Sequence, residues 1–570
     1  MDKWTVARTL DEIASYVELS EPTPFRARAF ERAARKIETL DADLADLIKR
    51  GELTSVPGVG KGIAPIVTEL VTSGRSSYLE ELRAKYPAGI FDLLRVPGVS
   101  LRKAGILFSE LGVSNLEELE RAAREGRIAK LKGFGAKTQQ KFLEGIDVAQ
   151  KRAEKYLLPF GIAIGESLRE QLAEISAIED AEVTGSVRRR LEIISNVNIA
   201  IAARDPAKAI AAIKKRKIVD KIEDIDDMTL RGVARDDCEV LLHVVKPENF
   251  GSCMLVTTGS KEFVAAFLQN AKLTKARTEH DLFEKAGIAF VEPELREDSD
   301  VLKRKKRVTL IQPTDLRGTF HIHTTYSDGR HSVLQMLESA RERGYEYAGI
   351  SDHSPAAFYA RGLSEEELKR QHADIDKARK EVAPMHVFRG TEADILNDGA
   401  IDYGPKILAK LDFVVASIHS RFGMDKSEMT ARILRALDDP FVTFLGHATG
   451  RKLLTRDGYI FEFDRVFDRC AERGVIMEIN GNPYRLDLDW RHIGRALDRG
   501  VVFSIHPDAH STREMDYVVT GTWVARKAGL SAKQIFNARP LEEVADYLAA
   551  RRTRAMSSGG AAHSPVRRRG

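Results

Sequence analysis

In the second half of the chain, short apolar runs alternate with longer segments of helical spacing, and nearly every run ends in a side chain that can ligate a metal. Residues 347–351 lead into Asp352 and His353, 386–390 into Glu392 and Asp394, 413–418 into His419, and 442–446 into His447. Residues 475–477 then lead into Glu478 and Asn480, and 501–505 into His506, Asp508 and His510. Between them, apolar positions recur at helical spacing over 333–343, 365–382 and 426–437. Continuous apolar runs fit parallel strands buried on both faces, which need a crossover helix between neighbours. Strand, ligand, helix, seven times over, predicts a parallel β/α barrel whose strand C-termini converge on one mouth. The first run carries His321-Ile322-His323. Alternate side chains of an extended strand share a face, so both imidazoles are expected to point one way with Ile322 in the packing. The turn at Ser327-Asp328-Gly329 swings Asp328 back toward them.

Imidazole and carboxylate together favour zinc, manganese or iron over calcium. On these residues the region from about 315 to 548 resembles the polymerase and histidinol phosphatase (PHP) domain, a distorted seven-stranded barrel that holds a cluster of metals. All nine ligand positions of that family are filled. The resemblance implies that His321, His323, Glu392 and Asp508 hold one metal, that Glu392 bridges to a second held by His419 and His447, and that Asp328, His353 and His510 hold a third. Clustered metals suit phosphoester hydrolysis, because they ionise water near neutral pH and spread the charge of an in-line transition state. Arg451 and Arg485, just behind two strand ends, are expected to reach substrate phosphate with planar guanidinium forks, an ordinary surface role being the alternative.

The first half reads differently. Residues 1–50 predict helices, with Leu10, Ile13, Ala14 and Val17 on one stripe and Phe25, Ala29, Phe30, Ala33 and Ile37 on the next. Three related turns follow: Val56-Pro57-Gly58-Val59-Gly60-Lys61, Val96-Pro97-Gly98-Val99-Ser100 and Leu131-Lys132-Gly133-Phe134-Gly135-Ala136-Lys137. They resemble helix-hairpin-helix DNA-binding elements. Glycine lets the backbone approach a phosphate, and the next helix offers free N–H groups to it. Gly58, Gly60, Lys61, Gly98, Gly133, Gly135 and Lys137 are the expected contacts, blind to base sequence. Ser100 stands where a second glycine is usual, so the middle hairpin is expected to bind less well or only to pack.

From about 151 to 312 the order of motifs resembles the palm and thumb of a family X DNA polymerase. Gly185, Ser186, Arg188 and Arg189 lie in its nucleotide-phosphate element, Thr258-Gly259-Ser260 matches a later nucleotide-side motif, and Pro293-Glu294-Leu295-Arg296-Glu297 matches the thumb. With the hairpins and the barrel, the resemblance to bacterial family X polymerases covers nearly the whole chain. One departure stands out. Where that family carries three aspartates for two Mg²⁺ ions, this chain has Asn196, Asn198 and Leu241. Amide oxygens do not neutralise Mg²⁺ and leucine does not ligate it, so magnesium at the palm is not expected and polymerase activity is expected to be lost. Glu239 is the one nearby carboxylate on the same strand face.

Length and composition bound these readings. At 570 residues the chain is too long for one core. The expected domains are a helical DNA-binding domain over 1–82, a second hairpin domain over 83–150, a nucleotidyltransferase-like palm over 151–245, a thumb over 246–301, a basic linker over 302–314, the PHP barrel over 315–550, and a disordered basic tail over 551–570. The fold class is thus multidomain: α-helical hairpins, an α+β palm and thumb, and a distorted (β/α)7 barrel. A net charge of +4 does not by itself announce a nucleic-acid binder. Three scattered cysteines, no membrane-length apolar run and no signal-peptide pattern suit a cytoplasmic, nucleoid-associated protein. The expected function is DNA repair: metal-dependent 3′-to-5′ exonuclease or 3′-end processing on gapped, nicked or 3′-recessed DNA, with up to three manganese, zinc or iron ions, and with abasic-site cleavage and weak dNTP binding as additional readings. An active gap-filling polymerase and a non-catalytic end-binding scaffold are the alternatives.

Overall fold

The computed structural model describes residues 3–20, 25–38, 40 and 43–558, and the chain forms two compact units, Met1–Glu154 and Lys155–Gly570. Among the described residues no helix is long and apolar enough to cross a membrane.

The first unit is all helical. Helices Lys3–Ser20 and Phe25–Glu38 bury Leu10, Ile13, Val17, Phe30, Ala33 and Ile37 in one core. Phe25 departs from the expected stripe: at the first position of its helix it is 74% exposed. The three hairpins share one backbone device. Gly58, Gly98 and Gly133 have φ of 91°, 89° and 88°, a region that a side chain strains to enter. In each, the residue after the glycine closes the turn by donating its N–H to the carbonyl two residues before the glycine: Val59 to Val56, Val99 to Val96 and Phe134 to Leu131, all at 3.0 Å. That donor residue is buried while the glycine stays exposed, so each hairpin is anchored by one apolar peg. Helices Ala64–Ser73, Leu101–Leu111 and Ala136–Ala153 follow the three turns. Ser100 caps the second of these, its hydroxyl accepting from the Lys103 N–H at 3.3 Å, and the Lys103 ammonium folds back onto the Gly98 carbonyl at 2.7 Å.

The second unit opens with a small pair, β1 (Tyr156–Leu157) and β3 (Ile193–Ile194), beside a five-stranded sheet. Its strands β2 (Asp180–Thr184), β4 (Asn196–Ala202), β5 (Asp220–Asp226), β6 (Thr229–Val233) and β7 (Glu239–Val245) run in the order β2-β4-β7-β6-β5, with only β4 and β7 parallel. Helices Phe250–Thr258, Lys261–Asn270 and Glu279–Lys285 form the following small domain around Phe263, Phe267 and Phe283.

The barrel comprises β8 (Gly318–Ile322), β9 (Tyr347–Ile350), β10 (His386–Asp394), β11 (Phe413–Ser417), β12 (Phe444–Leu445), β13 (Ile476–Asn480) and β14 (Phe503–His506), all parallel and in sequence order. The ring closes through a bridge between Ile322 and Ala509. Its lower interior is an aromatic layer of Phe320, Tyr347, Phe388, Phe413, Phe444 and Phe536. Gly349 and Gly390 make room for it: a Cβ there would lie 2.5 Å from the Phe320 ring and 2.3 Å from the Phe413 ring respectively. The ligand-bearing strand ends therefore rest on a packed floor.

Residues 551–558, expected in a disordered tail, instead continue helix Leu541–Ser558. Arg551 is buried, donating to the Arg473 and Gly474 carbonyls at 2.9 and 3.0 Å, and Ala555 is fully buried. The remainder of the expected tail, 559–570, lies outside the described residues. In the expected basic linker, Arg307 pairs with Glu292, and Leu310 and Ile311 are buried, so its end is anchored rather than loose.

Candidate metal centre

His321 does not sit in plain extended strand. Its φ is 60°, and the β8 pairing slips between Thr319 and Ile322. The kink replaces simple alternation as the device that gathers the imidazoles, and it leaves the His321 and His323 rings 5.2 Å apart. His447 and Asp508 also have positive φ, 22° and 53°. Three of the nine positions thus adopt backbone that side chains rarely occupy, held there by the surrounding packing.

All nine predicted side chains meet at the barrel mouth. Glu392 is central: its oxygens lie 3.3 Å from His321 Nε2, 3.5 Å from His323 Nε2, 3.0 Å from His353 Nδ1, 3.3 Å from His419 Nε2 and 2.9 Å from His447 Nε2. Asp508 faces His321 and His323, each at 3.5 Å, and Asp328 faces His353 at 3.6 Å and His510 at 3.3 Å. His321 Nε2, both nitrogens of His323, His353 Nδ1 and His447 Nδ1 are buried without an aligned hydrogen bond. An unpaired buried polar atom costs about 1–3 kcal/mol, so several of them within one cluster are poorly explained by packing and well explained by a cation. The overlapping groupings of three or four His, Asp and Glu that could hold an ion all lie in this barrel, among the described residues.

The electrostatics agree. Burial alone would raise the carboxyls of Glu392 and Asp508, yet the facing imidazoles, His321 foremost, hold both well below the usual carboxylate range. Burial likewise opposes charge on His419 and His510, but Glu392 and Asp394 lift the first to about 9, and Asp328 and Asp508 lift the second to about 9. His323 goes the other way, to about 4, under burial and the neighbouring His510 and His353. A buried excess of negative charge that draws protons onto imidazoles is the environment a divalent cation neutralises.

Four residues that resemble ligands in the sequence act one layer out. Glu478 accepts from His321 Nδ1 at 2.5 Å, His506 Nδ1 at 2.9 Å, the His447 N–H at 2.9 Å and the Asn480 amide at 2.8 Å. Asp394 takes His419 Nδ1 at 2.6 Å. Asp352 turns away to hold the Thr324 N–H and the Ser327 and Gln371 side chains. Such partners fix the tautomer and direction of a ligating imidazole. His506 stacks edge-on against Phe444, 4.8 Å between centroids, which joins the cluster to the aromatic floor.

A cavity of about 440 Å³ opens over the cluster, lined also by Tyr359, Lys452, Asn482, Tyr484 and Arg485. Arg485 is on the cavity wall, with Nε 3.5 Å from Asp508. Arg451 does not line the cavity. Its guanidinium donates to the Arg485 carbonyl at 2.9 Å, to Asp489 at 2.6 Å and to the Leu486 carbonyl, so it braces the loop that presents Arg485. Lys452, Tyr359 and Tyr484 were not legible as site residues, since nothing in their spacing sets them apart from other loop positions.

Comparison with known proteins bears on the whole chain. A helix-hairpin-helix domain model matches residues 1–76, a SAM-like helix-hairpin-helix tandem model matches 90–146, and a PHP domain model matches 319–480. The DNA polymerase/3′-5′ exonuclease PolX of Bacillus subtilis is 31% identical over 569 residues, covering 96% of this chain and 99% of that protein. The chain belongs to the bacterial family X DNA polymerases with a C-terminal PHP domain. Over part of its length the chain is also similar to probable phosphatases: one from Caldanaerobacter subterraneus subsp. tengcongensis, 26% identical over 33% of this chain and 74% of that protein, and one from Photobacterium profundum, 34% identical over 28% and 63%. Asp508 and His510 lie beyond the residues matched by the PHP model, although the fold brings them to the same mouth.

In this family X chain Asn196, Asn198 and Leu241, the positions where the resemblance leads one to look for aspartates, lie together on two paired strands. The parallel register of β4 and β7 sets Asn196 against Glu239 and Asn198 against Leu241. The Asn198 amide donates to Asn196 at 2.9 Å, Asn196 donates to Glu239 at 3.3 Å, and His243 sits 3.1 Å from Asn198 Oδ1. Glu239 also pairs with Arg231 at 3.2 Å. Gly185 (φ 67°) lies so close that a Cβ would be 3.0 Å from the Asn198 amide nitrogen. Next to Ser186, the two arginines of the phosphate element are engaged within the fold: Arg188 with Glu279 at 2.6 Å and Thr258 at 2.8 Å, Arg189 with Glu297 at 2.9 Å and the Thr258 carbonyl at 2.6 Å. Barrel Lys527 completes this group, 2.5 Å from Glu297 and 3.0 Å from the Arg189 carbonyl.

Proposed function

We propose that the protein is a DNA-end-processing enzyme in which the PHP barrel hydrolyses phosphodiesters as a 3′-to-5′ exonuclease or 3′-end-cleaning activity at gaps and nicks, and in which the palm has lost nucleotidyl transfer. The observation that carries this reading is the contrast between two sites of one chain: nine converging metal-competent side chains at the barrel mouth, and an interlocked amide pair with a leucine in the palm.

In the barrel, His321, His323, Glu392 and Asp508 would hold one divalent metal, Glu392 with His419 and His447 a second, and Asp328, His353 and His510 a third. The unpaired imidazole nitrogens fit such ions. Bound metals would supply Lewis-acid charge to the phosphoryl oxygens. The chain's own groups do the rest. Glu478 and Asp394 orient His321 and His419, while Arg485 and Lys452 offer cationic donors to the phosphate from the cavity wall. The hairpins at Gly58 and Gly133 would hold the DNA backbone, with Gly60, Lys61, Gly135 and Lys137 exposed beside them.

In the palm, transfer between a primer hydroxyl and a triphosphate needs anions to concentrate divalent charge. Asn196, Asn198 and Leu241 supply none, and Glu239 is already paired with Arg231. Every 1.4 kcal/mol of lost stabilisation is about tenfold in rate, so extension falls by orders of magnitude. The test is one incubation of the purified protein with a 5′-labelled gapped duplex and Mn²⁺, with and without dNTPs. Shortening without extension is expected; extension on adding dNTPs would overturn the palm reading, and no shortening would overturn the barrel reading.

A further inference from the structure

The mouth of the metal cluster carries an aromatic rim that the hydrolytic chemistry does not call for. Among the described residues four of the Phe, Tyr and Trp side chains stand exposed; two of them, Tyr359 at 58% and Tyr484 at 61%, line this one cavity, and a third, Phe358 at 84%, packs against Tyr359. Phe358 and Tyr359 come from the loop after His353, and Tyr484 from the loop after β13. The Tyr359 ring lies 6.2 Å from His353 and 6.1 Å from His419, both edge-on, and Phe358 stands a further 6.2 Å out against Tyr359 at 78°. One wall of aromatic faces therefore runs from the cluster outward, with Tyr484 and the cationic Lys452 and Arg485 also around the opening.

Both loops are fixed in place. Gly362 packs so tightly that a Cβ would meet the Ser354 carbonyl at 1.8 Å, and the Leu363 N–H returns to the His353 carbonyl at 2.8 Å. The Tyr484 N–H donates to Asn482 at 3.0 Å, and its carbonyl accepts from the Leu453 N–H at 2.7 Å. Rings held in water on pinned loops, next to cations, suit a flat ligand that carries phosphate. Every nucleobase offers such a face, and stacking on it tolerates any sequence. In a duplex both faces of a base are covered by its neighbours, so only a splayed base can use the rim.

Resting on the exonuclease reading above, we propose that Phe358, Tyr359 and Tyr484 form a stacking clamp that grips the terminal base and sets the scissile phosphate over the cluster. They are positioning and specificity residues. The site then reads the presence of a base rather than its identity, and a terminus lacking its base is a poor substrate.

The test uses the full-length protein with F358A/Y359A, Y484A and the conservative Y359F. The substrates are 5′-labelled single strands ending in a normal or an abasic 3′ nucleotide, with Mn²⁺. The parent is expected to favour the base-bearing end about tenfold or more in kcat/KM, since one base–aromatic stack is worth about 1–3 kcal/mol. That ratio falls toward one in the alanine variants, chiefly through KM, and Y359F retains it. In parallel, a 3′-terminal 2-aminopurine should be quenched on binding the parent and not the alanine variants. A parent without preference, or equal quenching throughout, overturns the clamp. A parent that does not cut but quenches as described refutes the exonuclease reading and leaves the clamp standing.

Discussion

Replacing Glu478 by glutamine tests the metal centre at a residue that holds other side chains in place. Its carboxylate is fully buried and accepts four hydrogen bonds, from His321, His506, Asn480 and the His447 backbone. Glutamine keeps the volume, drops the charge and turns one acceptor into a donor, so either His321 Nδ1 or the His447 N–H then meets an N–H group. A hydrogen bond to a charged group contributes about 1.5–3 kcal/mol. Loss of an outer partner of a ligating histidine weakens metal binding about 10–100-fold, equivalent to about 1.4–2.8 kcal/mol, and the two estimates agree. The assay is the Mn²⁺ dependence of 3′-end hydrolysis, with bound metal measured by elemental analysis and the thermal midpoint followed alongside. The half-saturating Mn²⁺ should rise about 10–100-fold, while saturating metal recovers most of the rate. A half-saturating concentration indistinguishable from that of the parent would falsify the orienting role assigned to Glu478.

Three further outcomes are expected. The double change His321→Ala and His323→Ala should abolish hydrolysis and lower bound metal while DNA binding measured by fluorescence anisotropy persists; equal cleavage rates would remove these residues from the site. Gly58→Val with Gly133→Val forces side chains into the left-handed φ of the two turns, so DNA affinity should fall and the log–log salt slope should shrink by about one for each phosphate the hairpins no longer neutralise; an unchanged slope would mean that the hairpins only pack. Restoring aspartate at Asn196, Asn198 and Leu241 should raise primer extension above a negligible parental level, and a parent that already extends as well as the triple variant contradicts the proposed loss.

The barrel was legible because its ligands stand at strand C-termini, where a repeating apolar run and a single polar residue leave a plain mark. What the pattern does not separate is rank. Glu392 and Glu478 both end apolar runs, yet one lies among five imidazoles and the other behind them. That difference depends on strand stagger and on the kink at His321, which no side-chain spacing encodes. Arg451 reads as available as Arg485 in the sequence, but in the fold its donors are engaged by loop carbonyls and Asp489. Residues 551–558 depart from expectation for a related reason: their arginines suggest a solvated tail, but Arg551 and Ala555 fall on the one face of the helix that the barrel covers. In the palm the amides of Asn196 and Asn198 and the apolar Leu241 are plain from identity alone, whereas the pairing of Arg188 and Arg189 with Glu279 and Glu297 joins residues far apart in the sequence and needed the fold.

The cluster of Arg189, Glu297 and Lys527 bears on how a DNA end travels. Lys527 is an almost fully buried ammonium whose partners belong to the polymerase-like half, and it lies 4.6 Å from the Trp490 ring. Leaving one member of such a buried pair without its partner costs about 3–5 kcal/mol, a factor of about 150 to 5,000 against opening that seam. The palm and the barrel, both within the unit Lys155–Gly570, are tied to one another through this group. On the proposed exonuclease reading, a strand that reaches the barrel does so by unpeeling along a palm and barrel that do not swing apart, so the length of frayed strand, not a hinge between those two domains, is the ruler that sets which ends are trimmed.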